Sequence, residues 1–245
     1  MTFIHILVYT NICMKVGLIR CLLIVLFALG CKIHAPTVER VDAETVILLH
    51  GMGRTRAAMY LMACRFEHAG YSVYNFPYDD KNKTLDELST ELLVFIEKNV
   101  TTPRYHLVGH SLGNIVIRNA FRQKFSVGLG RIVMLAPPNQ PALLAKVLKN
   151  NFIYKWRTGD SGQKLANDEF YRTLPIPTAE FGIIAGNKGQ NLTFSEDNDG
   201  IITVESSKLQ GSQDWVEVNH SHTFIMNAKD TFRLCHHFIK FGSFQ

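Results

Sequence analysis

The sequence lacks several features that would place it in other classes of protein. It contains no internal repeat and no low-complexity segment, and its 245 residues, 47% of them hydrophobic, suffice for one substantial core. It has no run of Lys and Arg and no alternation of basic and aromatic residues. Lys15 and Arg20 are the only charged residues among the first 30, and without them the formal net charge falls from +5 to +3. One domain is therefore expected, and nucleic acid is not expected as a partner.

Cysteine is scarce in the part of the chain that should fold. Of five cysteines, Cys13 and Cys21 lie in the N-terminal apolar region and Cys31 at its end, which leaves Cys64 and Cys235. Both lie among apolar neighbours in helical patterns, so we expect two small core side chains. A disulfide between them is the alternative in an oxidising compartment.

No apolar run is long enough to span a bilayer. The longest near the N-terminus, residues 21–30, has about ten residues and follows the basic pair Lys15 and Arg20. This order of basic region, apolar region and small residues is typical of an export signal. We expect residues 1–30 to be a signal peptide, with Met14 as an alternative start, and the polar residues 31–44 to form a tether.

Residues 27–31, Phe-Ala-Leu-Gly-Cys, resemble a bacterial lipobox, which would make Cys31 a lipid-modified first residue. Soluble secretion and an uncleaved anchor remain open. If the source is a bacterium, we expect an exported protein that is a periplasmic or outer-membrane lipoprotein. If it is not, we expect a secreted or membrane-anchored protein. Association with a membrane through the N-terminus is expected, and protein partners are unknown.

From residue 45 onward, strand and helix patterns alternate. Continuous or alternating apolar runs predict six strands, at residues 45–50, 71–76, 104–108, 131–136, 181–185 and 214–218. Helical spacing of apolar residues predicts helices at 55–68, after a capping box of Thr84 and Glu87, after residue 111, and at 228–240. This alternation predicts an α/β fold over residues 45–245, with a mostly parallel sheet and helices on both faces.

The alternation breaks between residues 139 and 178. This stretch carries a helical pattern, then Phe152, Tyr154 and Trp156 among lysines, and no strand pattern. We interpret it as a lid insertion whose aromatic residues bind substrate. The alternative is that these aromatics pack on the domain.

The third predicted strand runs directly into Gly109-His-Ser111-Leu-Gly113, and a buried helix pattern follows. In a G-x-S-x-G turn between strand and helix, the glycines avoid collisions with neighbouring backbone and leave the serine hydroxyl exposed at the sheet edge. Ser111 is therefore the candidate nucleophile.

A serine hydroxyl is a weak nucleophile at neutral pH, so it needs a base and an acid that orients the base. Loops after the fifth and sixth strands supply both types of residue, in the chain order Ser111, Asp199, His222. Asp199 precedes a glycine that permits a tight turn, and Asp197 is its competitor. His222 precedes an apolar run that could fix its backbone, and His220 is the alternative base.

An acyl-transfer intermediate also needs two N–H donors for its oxyanion. Leu112 N–H, at the start of the helix after Ser111, is one candidate, and Met52 N–H, after His50 and Gly51, is the other. His50 has no second His, Asp or Glu at ligand spacing, so we expect no metal site.

These motifs together resemble one known family. Residues 46–244 are similar to the α/β-hydrolase superfamily, in particular to bacterial lipase/esterase-like serine hydrolases. The resemblance rests on His50-Gly-Met-Gly53, Gly-His-Ser111-Leu-Gly, Leu-Ala-Pro-Pro-Asn139-Gln140, Phe-Gly-Ile-Ile-Ala-Gly186, Asn-Asp199-Gly and Ser-His222-Thr-Phe-Ile-Met226. It departs from true triacylglycerol lipases after the histidine, where those carry acidic residues near a structural calcium and this chain has Thr223 and Phe224.

The resemblance implies an α/β-hydrolase fold, no cofactor, no calcium, and hydrolysis of carboxylic esters through an acyl-enzyme. The expected substrate is a small-molecule or lipid ester, with lipid or acyl esters preferred because of the apolar insertion and the tether. An acyltransferase, thioesterase or amidase on the same triad, and a catalytically silent membrane-tethered binding protein, are the alternatives.

Overall fold

The computed structural model describes residues 44–140, 168–189 and 196–245. Six strands form one sheet in the order β2-β1-β3-β4-β5-β6, and every neighbouring pair is parallel. The strands are β1 (Thr45–Leu49), β2 (Ser72–Asn75), β3 (Tyr105–His110), β4 (Leu129–Leu135), β5 (Phe181–Gly186) and β6 (Asp214–Val218).

Parallel neighbouring strands need crossover connections, and helices lie along the chain between the strands. They are α1 (Tyr60–His68), α2 (Leu85–Asn99), α3 (Leu112–Ala120), α4 (Asp168–Thr173), α5 (Val204–Ser207) and α6 (Lys229–Phe241), with short 3-10 helices at Arg56–Met59 and Ile225–Asn227. The capping box before α2 is present: Glu87 N–H donates to Thr84 Oγ1 over 3.3 Å, and Thr84 N–H donates to Glu87 Oε2 over 2.7 Å.

Two apolar cores lie on opposite faces of the sheet because successive strand side chains alternate in direction. β1 sends Ile47 and Leu49 into one core and Val46 and Leu48 into the other. Helices α2 and α3 cover the first face, and α1 and α6 cover the second. The predicted α/β fold with a parallel sheet and helices on both faces is confirmed.

One predicted helix differs in detail. The helical spacing of Ala58, Leu61, Met62 and Phe66 predicts a single helix over residues 55–68 with these side chains on one face, but the segment begins as a 3-10 helix and continues as α1. Leu61 is 46% exposed, and Met59 is buried instead. Met62, Ala63 and Phe66 form the buried face of α1, and at about 3.6 residues per turn Leu61 lies on the side away from them. The small elements α5 and Ile225–Asn227 were not predicted.

Cys64 on α1 and Cys235 on α6 are free thiols. Cys235 is fully buried, and burial raises the pKa of its thiol well above the ordinary value. Cys235 is therefore the small core residue that the sequence pattern indicated, whereas Cys64 is only partly buried.

Several predictions fall outside the described residues. These are the signal peptide at 1–30, almost all of the tether at 31–44, Cys31, and the aromatic residues Phe152, Tyr154 and Trp156 of the predicted lid. Of the lid range 139–178, only residues 139–140 and 168–178 are described. Within the part of the chain that the structure describes, no helix has the length and apolar character needed to cross a bilayer.

Candidate active site

Ser111 occupies the sharp turn between β3 and α3. Its backbone has φ 52° and ψ −120°, a region that non-glycine residues rarely adopt. The carbonyl of Leu135, at the end of β4, accepts from Ser111 N–H over 3.0 Å and from Asn114 Nδ2 over 3.0 Å. These two bonds hold the strained turn and leave the Ser111 hydroxyl at the carboxyl edge of the sheet.

The glycines on both sides of Ser111 are required by close packing. A Cβ on Gly113 would lie 2.7 Å from the Leu49 carbonyl oxygen and 2.9 Å from that of His50. A Cβ on Gly109 would overlap the side chain of Asn114. Glycine at these positions lets α3 lie directly against the end of β1.

Ser111, His222 and Asp199 are brought together from three loops. His222 Nε2 lies 2.9 Å from Ser111 Oγ, and His222 Nδ1 lies 2.7 Å from Asp199 Oδ2. Because a carboxylate only accepts, Nδ1 carries the proton and Nε2 is free to accept the Ser111 hydroxyl proton. The geometry is that of a nucleophile, a general base and an orienting acid.

Asp199 is buried and held from several sides. Its Oδ1 accepts from Ile201 N–H over 2.9 Å and from Ile202 N–H over 2.7 Å. Gly200, with φ 99°, makes the turn that allows both bonds. Asp199 O also accepts from His222 N–H over 2.9 Å, so the acid loop and the base loop are joined through their backbones.

Asp197 and His220, the alternatives for the acid and the base, lie outside the hydrogen bonds that join Asp199, His222 and Ser111. Asp197 is exposed at the surface. His220 Nε2 faces both carboxylate oxygens of Asp230 at 2.8 Å, which ties its loop to the start of α6. Burial raises the pKa of Asp230, but hydrogen bonds from His220 and Thr231 outweigh that effect and lower its pKa. His220 is therefore an anchor of the loop that carries His222.

His110, next to the candidate nucleophile, was not singled out from the sequence. Its Nε2 lies 2.9 Å from the His222 carbonyl oxygen, so it donates to the backbone of the base loop. Burial, and then the positive charge that His222 can carry, lower the pKa of His110 well below its ordinary value. His110 is thus a neutral donor that supports the position of His222.

The two predicted oxyanion donors belong to segments next to Ser111: Leu112 follows it in the chain, and a Cβ on Gly51, the residue before Met52, would lie 3.1 Å from Ser111 Cβ. Among the described residues, neither Met52 N–H nor Leu112 N–H donates to an acceptor. For Leu112 this follows from its place at the first position of α3, where N–H groups have no partner within the helix. His50 stacks on Tyr78 with ring centroids 3.9 Å apart, and Asp80 accepts from Gly53 N–H. Neither Tyr78 nor Asp80 was singled out from the sequence, although both follow a strand at its carboxyl end, as Asp199 does.

Arg118 joins α3 to both ends of the predicted insertion. Its guanidinium donates to Asn139 Oδ1 over 3.1 Å, to the Leu174 carbonyl over 3.1 Å and to the Pro175 carbonyl over 3.0 Å. It is buried, and burial lowers the pKa of Arg118 to about 10, so the side chain is still cationic at neutral pH. This contact was missed because nothing in the sequence separates a buried arginine from an exposed one.

No protein-family model matches the chain, and no curated protein matches it. Solved structures do match, at low identity. A metagenomic carboxyl esterase has a TM-score of 0.59 at 12% identity, with 76% of this chain and 66% of that chain covered. A Bacillus licheniformis lipase in its mature form has a TM-score of 0.53 at 16% identity, with coverage of 80% and 91%.

A Legionella pneumophila phospholipase in complex with thio-NAD has a TM-score of 0.56 at 15% identity. The match covers 68% of this chain and spans 44% of the phospholipase. Together with the sheet order and the strand-turn-helix around Ser111, these similarities show that the chain has the α/β-hydrolase fold. The fold implied by the sequence motifs is confirmed.

Proposed function

We propose that the chain is a serine hydrolase that cleaves carboxylic esters through an acyl-enzyme on Ser111. One observation carries the proposal: an unbroken line of hydrogen bonds runs from Asp199 through His222 to Ser111, over 2.7 Å and 2.9 Å. Such a line activates a hydroxyl that would otherwise react slowly.

The proposed reaction has two halves. Ser111 Oγ attacks the ester carbonyl while His222 Nε2 takes its proton, and the tetrahedral intermediate expels the alcohol as His222 returns that proton to the leaving oxygen. Water then attacks the acyl-enzyme with His222 again as base, which releases the carboxylic acid and restores Ser111. Asp199 keeps His222 in the required tautomer and stabilises its protonated form.

The N–H groups of Met52 and Leu112 stabilise the negative oxygen of each intermediate. Each such donor typically contributes about 3 kcal/mol to lowering the barrier. Leu112 N–H adds the positive end of the α3 dipole.

Lipid or acyl esters are the preferred substrate class. Phe224, two residues after His222, is 63% exposed and offers apolar surface close to the base. The three similar structures described above are named as an esterase, a lipase and a phospholipase. Phe152, Tyr154 and Trp156 of the predicted lid supply further contacts to the acyl chain. No cofactor takes part.

The protein is exported and tethered to a membrane through a lipid on Cys31. This part of the proposal rests on the sequence of residues 1–31 alone. Mass spectrometry of the mature N-terminus tests it: a diacylated Cys31 supports the tether, and an unmodified N-terminus beyond residue 31 contradicts it.

A fluorophosphonate probe tests the enzyme proposal, because it reacts with activated serines. Wild type should be labelled at Ser111, and Ser111→Ala should not be labelled. An ester panel of graded chain length, run beside a thioester, an amide and a competing alcohol acceptor, then identifies the acyl group and its acceptor. Absence of labelling in folded wild type would contradict the proposal and support a silent binding protein.

A further inference from the structure

The turn that carries Met52 N–H is held peptide by peptide. The hydroxyl of Tyr78 donates to the His50 carbonyl, which fixes the peptide between residues 50 and 51. Asp80 Oδ2 accepts from Gly53 N–H over 2.7 Å, which fixes the peptide between residues 52 and 53. The peptide that carries Met52 N–H lies between these two.

The middle peptide is held through its other end. The Gly51 carbonyl accepts from His50 Nδ1 over 2.9 Å and from Arg54 N–H over 3.3 Å. In a trans peptide the C=O and N–H point in opposite directions, so fixing the Gly51 carbonyl also fixes the direction of Met52 N–H. A rotation of this peptide would also break the hydrogen bonds that hold the two neighbouring peptides.

Tyr78 and Asp80 both come from the loop after β2. Asp80 is only 3% exposed, and among the described residues its one hydrogen bond comes from Gly53 N–H. Burying a carboxylate is costly unless it is paired or hydrogen-bonded. Tyr78 stacks on the His50 ring with the planes 2° apart, so it contacts the turn through its ring as well as its hydroxyl.

The protonation state of Tyr78 suits a donor. Burial, and then the negative charge of Asp80, raise the pKa of Tyr78 well above its ordinary value. The phenol therefore keeps its proton throughout the neutral range and donates steadily to the His50 carbonyl.

We propose that Tyr78 and Asp80 are positioning residues that hold Met52 N–H in the orientation required to bind the oxyanion. This inference rests on the proposed hydrolase function. Neither side chain touches the substrate; both act through the backbone of residues 50–53. Their loss should therefore weaken binding of the transition state more than binding of the substrate.

The test compares four single variants in the full chain. Asp80→Ala removes the acceptor for Gly53 N–H, and Asp80→Asn keeps an acceptor oxygen without the charge. Tyr78→Phe removes only the hydroxyl and keeps the stack on His50. Asp79→Ala is the matched control, because Asp79 is exposed and, among the residues that the structure describes, bonds only within its own loop, at Lys81 and Asn82.

The measurements are kcat and KM for a chromogenic ester, and the inhibition constant of an alkyl trifluoromethyl ketone. The ketone forms an adduct with an activated serine and places an oxyanion between the two donors. Loss of one whole oxyanion donor typically costs about 10²- to 10³-fold in kcat, so a misdirected donor in Asp80→Ala should cost about 10- to 100-fold. KM should change little, and the inhibition constant should rise in proportion to the fall in kcat/KM.

Asp80→Asn should recover most of the kcat that Asp80→Ala loses. Tyr78→Phe should lose about 3- to 10-fold in kcat, as a smaller fraction of the same effect. Asp79→Ala should match wild type in kcat and in the inhibition constant. Thermal unfolding of each variant separates positioning from loss of fold. If Asp80→Ala does not fold, kcat and the inhibition constant of the ketone in Tyr78→Phe decide the question.

These measurements distinguish a failure of the proposed hydrolase function from a failure of the positioning role. Wild type without Ser111-dependent turnover overturns the proposed function and this inference with it. An active wild type, with kcat and ketone affinity unchanged in folded Asp80→Ala and Tyr78→Phe, overturns only the role of these two residues. A rise in KM at constant kcat overturns it also, because that result indicates a substrate contact.

Discussion

His220 and His222 lie two positions apart in one loop and have different partners. His222 is buried between Asp199 and Ser111, whereas the His220 side chain is 29% exposed and bonds to Asp230. A base must lie within hydrogen-bond reach of the proton that it takes, and only His222 lies within that reach of Ser111. The position of each ring therefore separates a candidate base from an anchor.

His222→Ala should lower kcat/KM for a chromogenic ester by about 10³-fold or more, since a triad without its base keeps only binding and oxyanion stabilisation. His220→Ala should keep most of the activity, because the His222 loop is also held by Asp199 O and by His110. Steady-state kinetics of the two variants, beside wild type, provides the measurement. A larger loss in His220→Ala than in His222→Ala would reverse the assignment.

At the scale of elements, the site depends on how closely α3 approaches β1. Gly113 faces the carbonyls of Leu49 and His50, so no side chain separates the helix from the end of this strand. This contact brings the start of α3, which carries Leu112 N–H, close to the turn after β1, which carries Met52 N–H.

Gly113→Ala should destabilise the protein and lower kcat. Helix propensity alone favours alanine by about 1 kcal/mol, but overpacking against rigid backbone typically costs about 1–3 kcal/mol. The collision should therefore dominate, and the shift of α3 should also misalign Leu112 N–H. Chemical denaturation and ester kinetics test both effects, and an unchanged or increased stability would show that the backbone moves aside easily.

Arg118→Ala should lower the free energy of unfolding by about 2–4 kcal/mol, because buried carbonyls and an amide lose a charged donor. Arg122→Ala is the matched control. Arg122 is exposed on the same stretch of chain and bonds to Thr173, so its loss should have a much smaller effect. Urea denaturation of both variants measures the difference. An equal loss of unfolding free energy in both variants would mean that the hydrogen bonds of the buried Arg118 contribute little.

At the scale of the whole molecule, the parallel sheet brings distant loops together. Strand ends β1, β3, β5 and β6 all point to one edge, and the turn or loop after each supplies one part of the candidate site. The opposite edge carries a different cluster: Glu44 bonds to His106 over 3.0 Å and lies 3.9 Å from Arg104, just before β1 begins.

Truncation should reveal what Glu44 contributes to the stability of the compact unit that comprises Asp42–Gln245. A chain of residues 42–245 keeps Glu44, whereas one of residues 45–245 loses it and leaves Nε2 of the buried His106 ring without its partner. An unsatisfied buried group costs about 1–3 kcal/mol, which corresponds to a fall in Tm of about 2–10 °C for a domain of this size. Calorimetry of the two truncated chains tests this, and equal Tm values would show that Glu44 contributes nothing.

The sequence patterns predicted the strands well and the site in outline. Each buried strand is a short apolar run, and the serine turn is marked by its glycines. The patterns misplaced Leu61, because this segment has apolar residues on more than one face and spacing alone does not determine which face is buried. They also passed over Tyr78, Asp80 and Arg118, since a polar residue in a loop looks the same whether it faces solvent or a backbone turn.

The sequence by itself determined which residues could react: a serine between two glycines, and an aspartate and a histidine at the ends of later strands. Local chemistry suffices there, because turn geometry and strand patterns depend on neighbours in the chain. The tertiary structure alone decided which histidine faces Ser111 and which pairs with Asp230. It also decided how the turn that carries Met52 N–H is held, because Tyr78 and Asp80 lie more than twenty positions from the backbone groups that they bond, and only packing brings them within hydrogen-bond distance.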